Sequence, residues 1–132
     1  MGTVSDDQRV AAAEAYVDAL VSHTADSVPF SPDCIRIENG IKTGFSGKHL
    51  SRSLNRGPQY RIIDAATDRD FAVEGDNVHA TFTIVTKVKI GRRRLVAAVH
   101  ETMRIPATDG LIHHLRVTFK PRLRDERSVA SE

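Results

Sequence analysis

The chain has 132 residues, 40% of them hydrophobic, and its 19 Lys and Arg against 17 Asp and Glu leave a formal charge of +2. That length suits one domain with a single core, and so even a balance gives no general pull toward nucleic acid or membrane. A lone cysteine, Cys34, excludes an internal disulfide and a cysteine-built zinc site, and aromatics at 5% without Trp argue against a stacking platform.

Met1 to Arg9 is polar and acidic, so no signal peptide is expected, and no apolar run nears the roughly 20 residues that span a bilayer. A cytoplasmic protein is the expectation. From about Asp6 to Thr24, Val10, Ala13, Tyr16, Val17, Leu20 and Val21 recur at helical spacing, with Ser5 or Asp6 as cap. Pro29 and Pro32 interrupt the chain and leave room for only a short helical piece between them. Cys34 to Glu38 alternates as a short strand, closed by the turn signal Asn39-Gly40. Gly47 to Leu54 reads as a short helix that ends at Gly57-Pro58.

Strands follow. Arg61 to Ala65 and Arg69 to Glu74 are two candidates, then Gly75-Asp76-Asn77 turns into the long run Val78 to Ile90. Gly91-Arg92-Arg93 makes a hairpin into Leu95 to Ile105, and Asp109-Gly110 another into Leu111 to Phe119. The expected domain is 1–121, with 122–132, charged and small, as a flexible tail. Arg92-Arg93-Arg94 reads as a solvated turn that discourages edge pairing rather than as a phosphate contact. One helix, short elements and an antiparallel meander make an α+β fold, a helix over one face of a curved sheet.

Period-two alternation assigns one strand face: Ala80, Phe82 and Ile84; Val99, Glu101 and Met103; His113, Leu115, Val117 and Phe119. Glu101 stands in the middle of it. Tyr16 on the helix and Glu38 on the short strand are likewise polar among apolar neighbours, and an unpaired buried polar group costs roughly 2–7 kcal/mol. The three are therefore expected to face one another or a pocket. Each has a plainer reading: Tyr16 as a core aromatic, Glu101 paired with Arg61 or Arg116, Glu38 in solvent beside its turn. No histidine pair has convincing ligand spacing, so no metal is expected. The opposite face, with Val96, Ala98 and His100, is small enough to pack on a second copy, so a homodimer is the expected assembly.

The order of elements, with Tyr16-Val17-Asp18-Ala19-Leu20-Val21-Ser22-His23, Pro29, Pro32-Asp33 and Glu38-Asn39-Gly40, resembles the cone-shaped superfamily of nuclear transport factor two, the SnoaL-like cyclases and ketosteroid isomerase. It looks most like an uncharacterised family within that superfamily. The resemblance implies a curved antiparallel or mixed sheet with N-terminal helices over its concave face. It also implies a pocket for a small hydrophobic molecule bearing a carbonyl or phenol, with Asn39, Phe82, Val99, Met103, His113, Leu115 and Phe119 as ligand contacts.

By the same likeness Tyr16 and Glu101 fall where the isomerases keep an oxyanion-binding tyrosine and a neutral carboxylic acid, a pairing that is a standard illustration of a protonated donor. Their catalytic aspartate aligns with Asn39, so Glu38, or Asp64 as runner-up, would have to be the base. No cofactor is implied. The rivals are a non-catalytic binding or assembly module, with Phe45, Phe82 and Phe119 filling the cavity, and an epoxide hydrolase, whose Asp-Arg-Asp set has no evident counterpart here.

Overall fold

A computed structural model describes residues 3–126. α1 covers Asp6–Ser22 and starts at a capping box: Ser5 Oγ accepts from the Gln8 amide at 3.1 Å, and the Ser5 amide donates back to Gln8 Oε1 at 3.0 Å. A cap of this kind is worth about 1 kcal/mol. The helix buries Ala13, Tyr16, Val17 and Leu20, as the apolar spacing requires. Arg9 is buried with them, donating to the Ile105 and Gly75 carbonyls at 2.6 Å each, so it pins the helix start to two strand ends.

β1 runs Phe30–Glu38, β2 Ile41–Gly44, β3 Ile63–Glu74, β4 Asn77–Ile90, β5 Arg93–Arg104 and β6 Ile112–Asp125. They form one six-stranded sheet in the order β2-β1-β6-β5-β4-β3, antiparallel except for β1 beside β6. This is the expected mixed, curved sheet with the first helix over one face. The register sets Glu101 between Ala80 and Val117, and Val99 between Phe82 and Phe119, so the sequence-assigned face is one continuous surface. Beneath α1 it buries Val78, Ala80, Met103, Ile105 and Leu115, each at about 1.5–3 kcal/mol for a full-sized side chain.

Between β2 and β3, α2 (Gly47–Arg56) closes the sheet's near edge and the single-turn α3 (Pro58–Arg61) follows. Gly44 is a close-approach position: a Cβ there would run into Leu50 and Arg36.

Several boundaries differ from the expectation. No helical piece lies between Pro29 and Pro32; β1 already begins at Phe30, and the pairing with β6 is irregular from Phe30 to Ile35, which lets exposed Pro32 withhold a donor. The two strands expected at 61–65 and 69–74 are one, β3, bulged where Asp68 takes φ 55°. Residues 122–125, assigned to a flexible tail, continue β6 in register with β5 residues 93–96; of the rest, 127–132 lie outside the described residues. No described helix is long and apolar enough to cross a membrane.

Candidate functional site

Three elements bring the predicted polar residues together. Tyr16 comes from the buried side of α1, Glu101 from the middle of β5 and Glu38 from the last position of β1, and all three line one cavity between helix and sheet. Tyr16 and Glu101 are each 1% exposed, whereas the Glu38 side chain keeps 21% of its surface. Two further residues complete the cluster. Arg36, on β1 two positions before Glu38, is fully buried, and Tyr60 projects from α3.

Arg36 organises the polar end. Its Nε donates to Thr43 Oγ1 at 3.1 Å, its Nη2 to the Thr43 carbonyl and Ser53 Oγ at 3.3 Å each, and its Nη1 to the Tyr16 hydroxyl at 3.3 Å. The guanidinium carbon lies 5.1 Å from the Tyr60 ring centroid, and Nε is 3.9 Å from Glu38 Oε2. Burial alone would lower this guanidinium, but Tyr16, Tyr60 and Glu38 around it hold it above its ordinary value. The cation is therefore permanent. Because Arg36 occupies a lone pair of the Tyr16 oxygen, the single Tyr16 proton is left to point elsewhere, toward Glu101 or a ligand.

Desolvation pushes Glu101 up to about 8, against a downward pull from Arg36, with Glu38 raising it further and the Tyr16 hydroxyl lowering it. At neutral pH its carboxyl is mainly protonated, and its Oε2 has no hydrogen-bond partner among the described residues. Burial also raises Tyr16 well above its usual value, helped by the Glu101 charge. Tyr60 is raised by burial too, and its hydroxyl donates to Glu38 Oε2 at 3.3 Å. The inner end of the cavity thus holds two neutral donors, Tyr16 and Glu101, while Glu38 supplies an acceptor nearer the opening.

The cavity measures about 240 Å³. That is slightly below the roughly 300–1,000 Å³ usual for ligand pockets and suits a compact ring system. Its walls are mostly apolar: Leu20 from α1, Phe82 and Ile84 from β4, Val99 from β5, Val117 and Phe119 from β6. Gln59, Ile62 and Pro121 mark its outer part. It is not filled by three phenylalanines, because Phe45 is 58% exposed, with the Lys42 ammonium 5.2 Å from its ring centroid.

Four expected ligand contacts are placed elsewhere. Asn39 sits in the turn, where Oδ1 accepts from the Phe119 amide at 3.0 Å and Nδ2 donates to the Phe119 carbonyl at 3.4 Å, so it ties β1 to β6. Met103 and Leu115 share the cavity face but lie beyond its floor, fully buried in the core. His113 turns to Asp109, with Nε2 2.7 Å from Oδ2. Of the alternatives, Asp64 is exposed, and so are Arg61 and Arg116; the arginine whose charge acts on Glu101 is Arg36. Among the described residues no group of three His, Cys, Asp or Glu could hold a metal.

Residues 3–119 match the model of a domain of unknown function, DUF8021. A search of curated proteins finds no match. Solved structures share the fold at low identity. An LEH-like epoxide hydrolase from M. tuberculosis superposes with a TM-score of 0.67 at 19% identity, over 86% of this chain and 84% of that one. A candidate isomerase of the SnoaL-like family from Agrobacterium tumefaciens gives 0.65 at 9%, over 86% and 98%. An NTF2-like protein from Burkholderia xenovorans gives 0.64 at 13%, over 89% and 92%. The likeness establishes the cone fold.

Proposed function

The chain belongs to the DUF8021 family, and from that premise we propose that its cavity binds a small, largely apolar molecule by a carbonyl or phenolic oxygen and promotes proton transfer beside it. The observation that carries this is the unpaired Glu101 Oε2, buried next to Tyr16 in a mostly apolar cavity. A protonated carboxyl and a tyrosine hydroxyl converging on one point stabilise an enolate-like oxygen more than a neutral carbonyl. Glu38 takes the proton from the adjacent carbon and returns it, so the chemistry is isomerase-, cyclase- or dehydratase-like and needs no cofactor. Arg36 keeps the Tyr16 proton aimed forward.

The test is a fluorescence titration with fused-ring phenols, whose bound oxygen mimics the enolate. Wild type is expected to bind in the micromolar range, with Tyr16→Phe or Glu101→Gln each weakening binding by about 1–3 kcal/mol. Absence of binding would overturn the reading.

One observation favours a binding-only alternative: Glu38 Oε2 is already engaged by Tyr60 and lies near Arg36. If wild type binds the phenol yet turns over no ketone substrate, that alternative stands; if it does turn one over and Glu38→Gln leaves the rate intact, Glu38 is not the base. Arg36, 3.9 Å from Glu38 and close enough for its charge to act on Glu101, also supports epoxide opening, in which Glu101 would protonate the ring oxygen and Glu38 deprotonate the attacking water. Conversion of an aryl epoxide to its diol would separate this from isomerisation. A homodimer belongs to the same proposal. The face opposite the cavity carries Asp70 and Glu74 on β3, the short Thr81, Thr83 and Ala98 in the middle, and Arg116 and Lys120 on β6, so a two-fold pairing sets acid against base. Sedimentation velocity tests it, with a monomer as the contrary result.

A further inference from the structure

The near-neutral total charge conceals a steep segregation. Segments 87–94 and 120–124 hold eight of the 19 Lys and Arg, and no acid occurs from residue 77 to residue 100. β4 and β6 end where β5 begins, so both segments lie at one end of the sheet, with Lys89 opposite Arg94 and Arg94 opposite Arg124. Glu126 at that end is shared among Arg94 at 2.9 Å, Arg124 at 3.4 Å and Lys89 at 4.0 Å. Lys87, Arg92, Arg93 and Arg122 are exposed around it.

The same end exposes aliphatic side chains. Ile90, one residue before the hairpin turn, is 61% exposed, and Leu123 and Ile62 are 38% exposed. The Lys87 amide donates to the Ile62 carbonyl at 2.8 Å, which places Ile62 against this part of β4. Leu123 pairs with Leu95, and Leu95, Ile62 and Pro121 line the outer part of the cavity. The cavity lining therefore reaches toward an apolar tip with a basic collar.

We propose that this β4–β5 hairpin end docks on the surface of an anionic lipid bilayer. Ile90, Leu123 and Ile62 enter the headgroup region, and the surrounding Lys and Arg meet lipid phosphates. Aliphatics set among cations fit an interface with an apolar layer beneath an anionic one. Each basic residue near such a surface raises partitioning several-fold, an effect that fades beyond a Debye length. Nucleic acid fits less well, because neither segment contains an aromatic residue for bases to stack on, and the exposed isoleucine would stay in water. Docked this way, the cavity lining reaches toward the layer where apolar molecules dissolve. The docking itself does not depend on what the cavity holds.

Flotation of the full chain with vesicles of phosphatidylcholine alone, or mixed with phosphatidylglycerol, tests the proposal. Binding is expected only to the mixed vesicles, and it is lost when salt rises from about 0.1 to about 0.5 M, as screening requires. The double variant Arg92→Glu/Arg93→Glu should weaken binding at least about tenfold. Ile90→Ser should weaken it several-fold with its salt dependence unchanged. Both variants should keep the wild-type circular dichroism and phenol titration, which separates loss of docking from failure of the cavity reading. No binding to mixed vesicles, or undiminished binding by the double variant, would overturn the proposal. Tight binding to a DNA duplex that Ile90→Ser leaves unaltered, without vesicle binding, would overturn it in favour of a polyanion surface.

Discussion

Glu101 gives stability a pH dependence of definite sign. Its folded value, about 8, lies above its ordinary 4.5, so between these pH values the native state holds a proton that the unfolded chain has lost. Stability from this group is full below about pH 4.5, falls as pH rises to about 8 and then levels, a difference on the order of 5 kcal/mol. Urea unfolding at pH 5 and pH 8.5 should show wild type losing more stability on going alkaline than Glu101→Gln does. Equal losses in the two proteins would mean that Glu101 is not held protonated. Arg36→Met should destabilise by roughly 3–5 kcal/mol at neutral pH, because the Tyr16, Ser53 and Thr43 oxygens lose a common donor inside the protein. Denaturant midpoints measure it. The convergence of Tyr16, Glu38 and Glu101 was legible because each interrupts an apolar pattern. Arg36 was equally available: alternation that turns Cys34 and Glu38 inward turns Arg36 inward too. A charged residue in a short strand reads as solvent-facing until its partners are known, and those partners come from α1, β2 and α2. Tyr60 had no signal, since one turn of helix shows no period.

Turns carried most of the element-level information. Asn39 and Gly40 take φ 48° and 83°, the left-handed pair that a two-residue hairpin with twisted strands requires. Around Gly40 a Cβ would meet nothing within 4 Å, so Gly40→Ala isolates the backbone term and should cost about 1–2 kcal/mol. A fall in melting temperature with unchanged phenol binding is the expected measurement. Elements that sequence reasoning missed share a physical reason. β2 and α3 are too short for a period to repeat. The first half of β1 contains Pro32, which ordinarily argues against a strand, and the bulge at Asp68 broke the alternation of β3 into two pieces.

At the scale of the molecule, the cone fold followed from element order plus resemblance, and the end of the sheet did not. Arg122 to Asp125 is polar enough to read as tail, yet it pairs with β5, and the buried Val96 stands opposite Arg122. A chain ended at Pro121 should therefore be less stable by about 1–3 kcal/mol, the sum of a few cross-strand pairs at roughly 0.2–1 kcal/mol each with lost apolar cover. Thermal unfolding of the shortened chain checks it, and an unchanged midpoint would restore the tail.

The sheet order has a temporal meaning as well. β6 lies between β1 and β5, although it follows every other element in the chain. The β3–β4–β5 meander can form by neighbour pairing as it emerges, while β1, bonded to β2 on one side, lacks its other neighbour until β6 arrives. In vectorial synthesis Arg36 and its partners in α1, β2 and α2 are thus made first, whereas the cavity, walled in part by Val117 and Phe119, first exists when translation has passed β6.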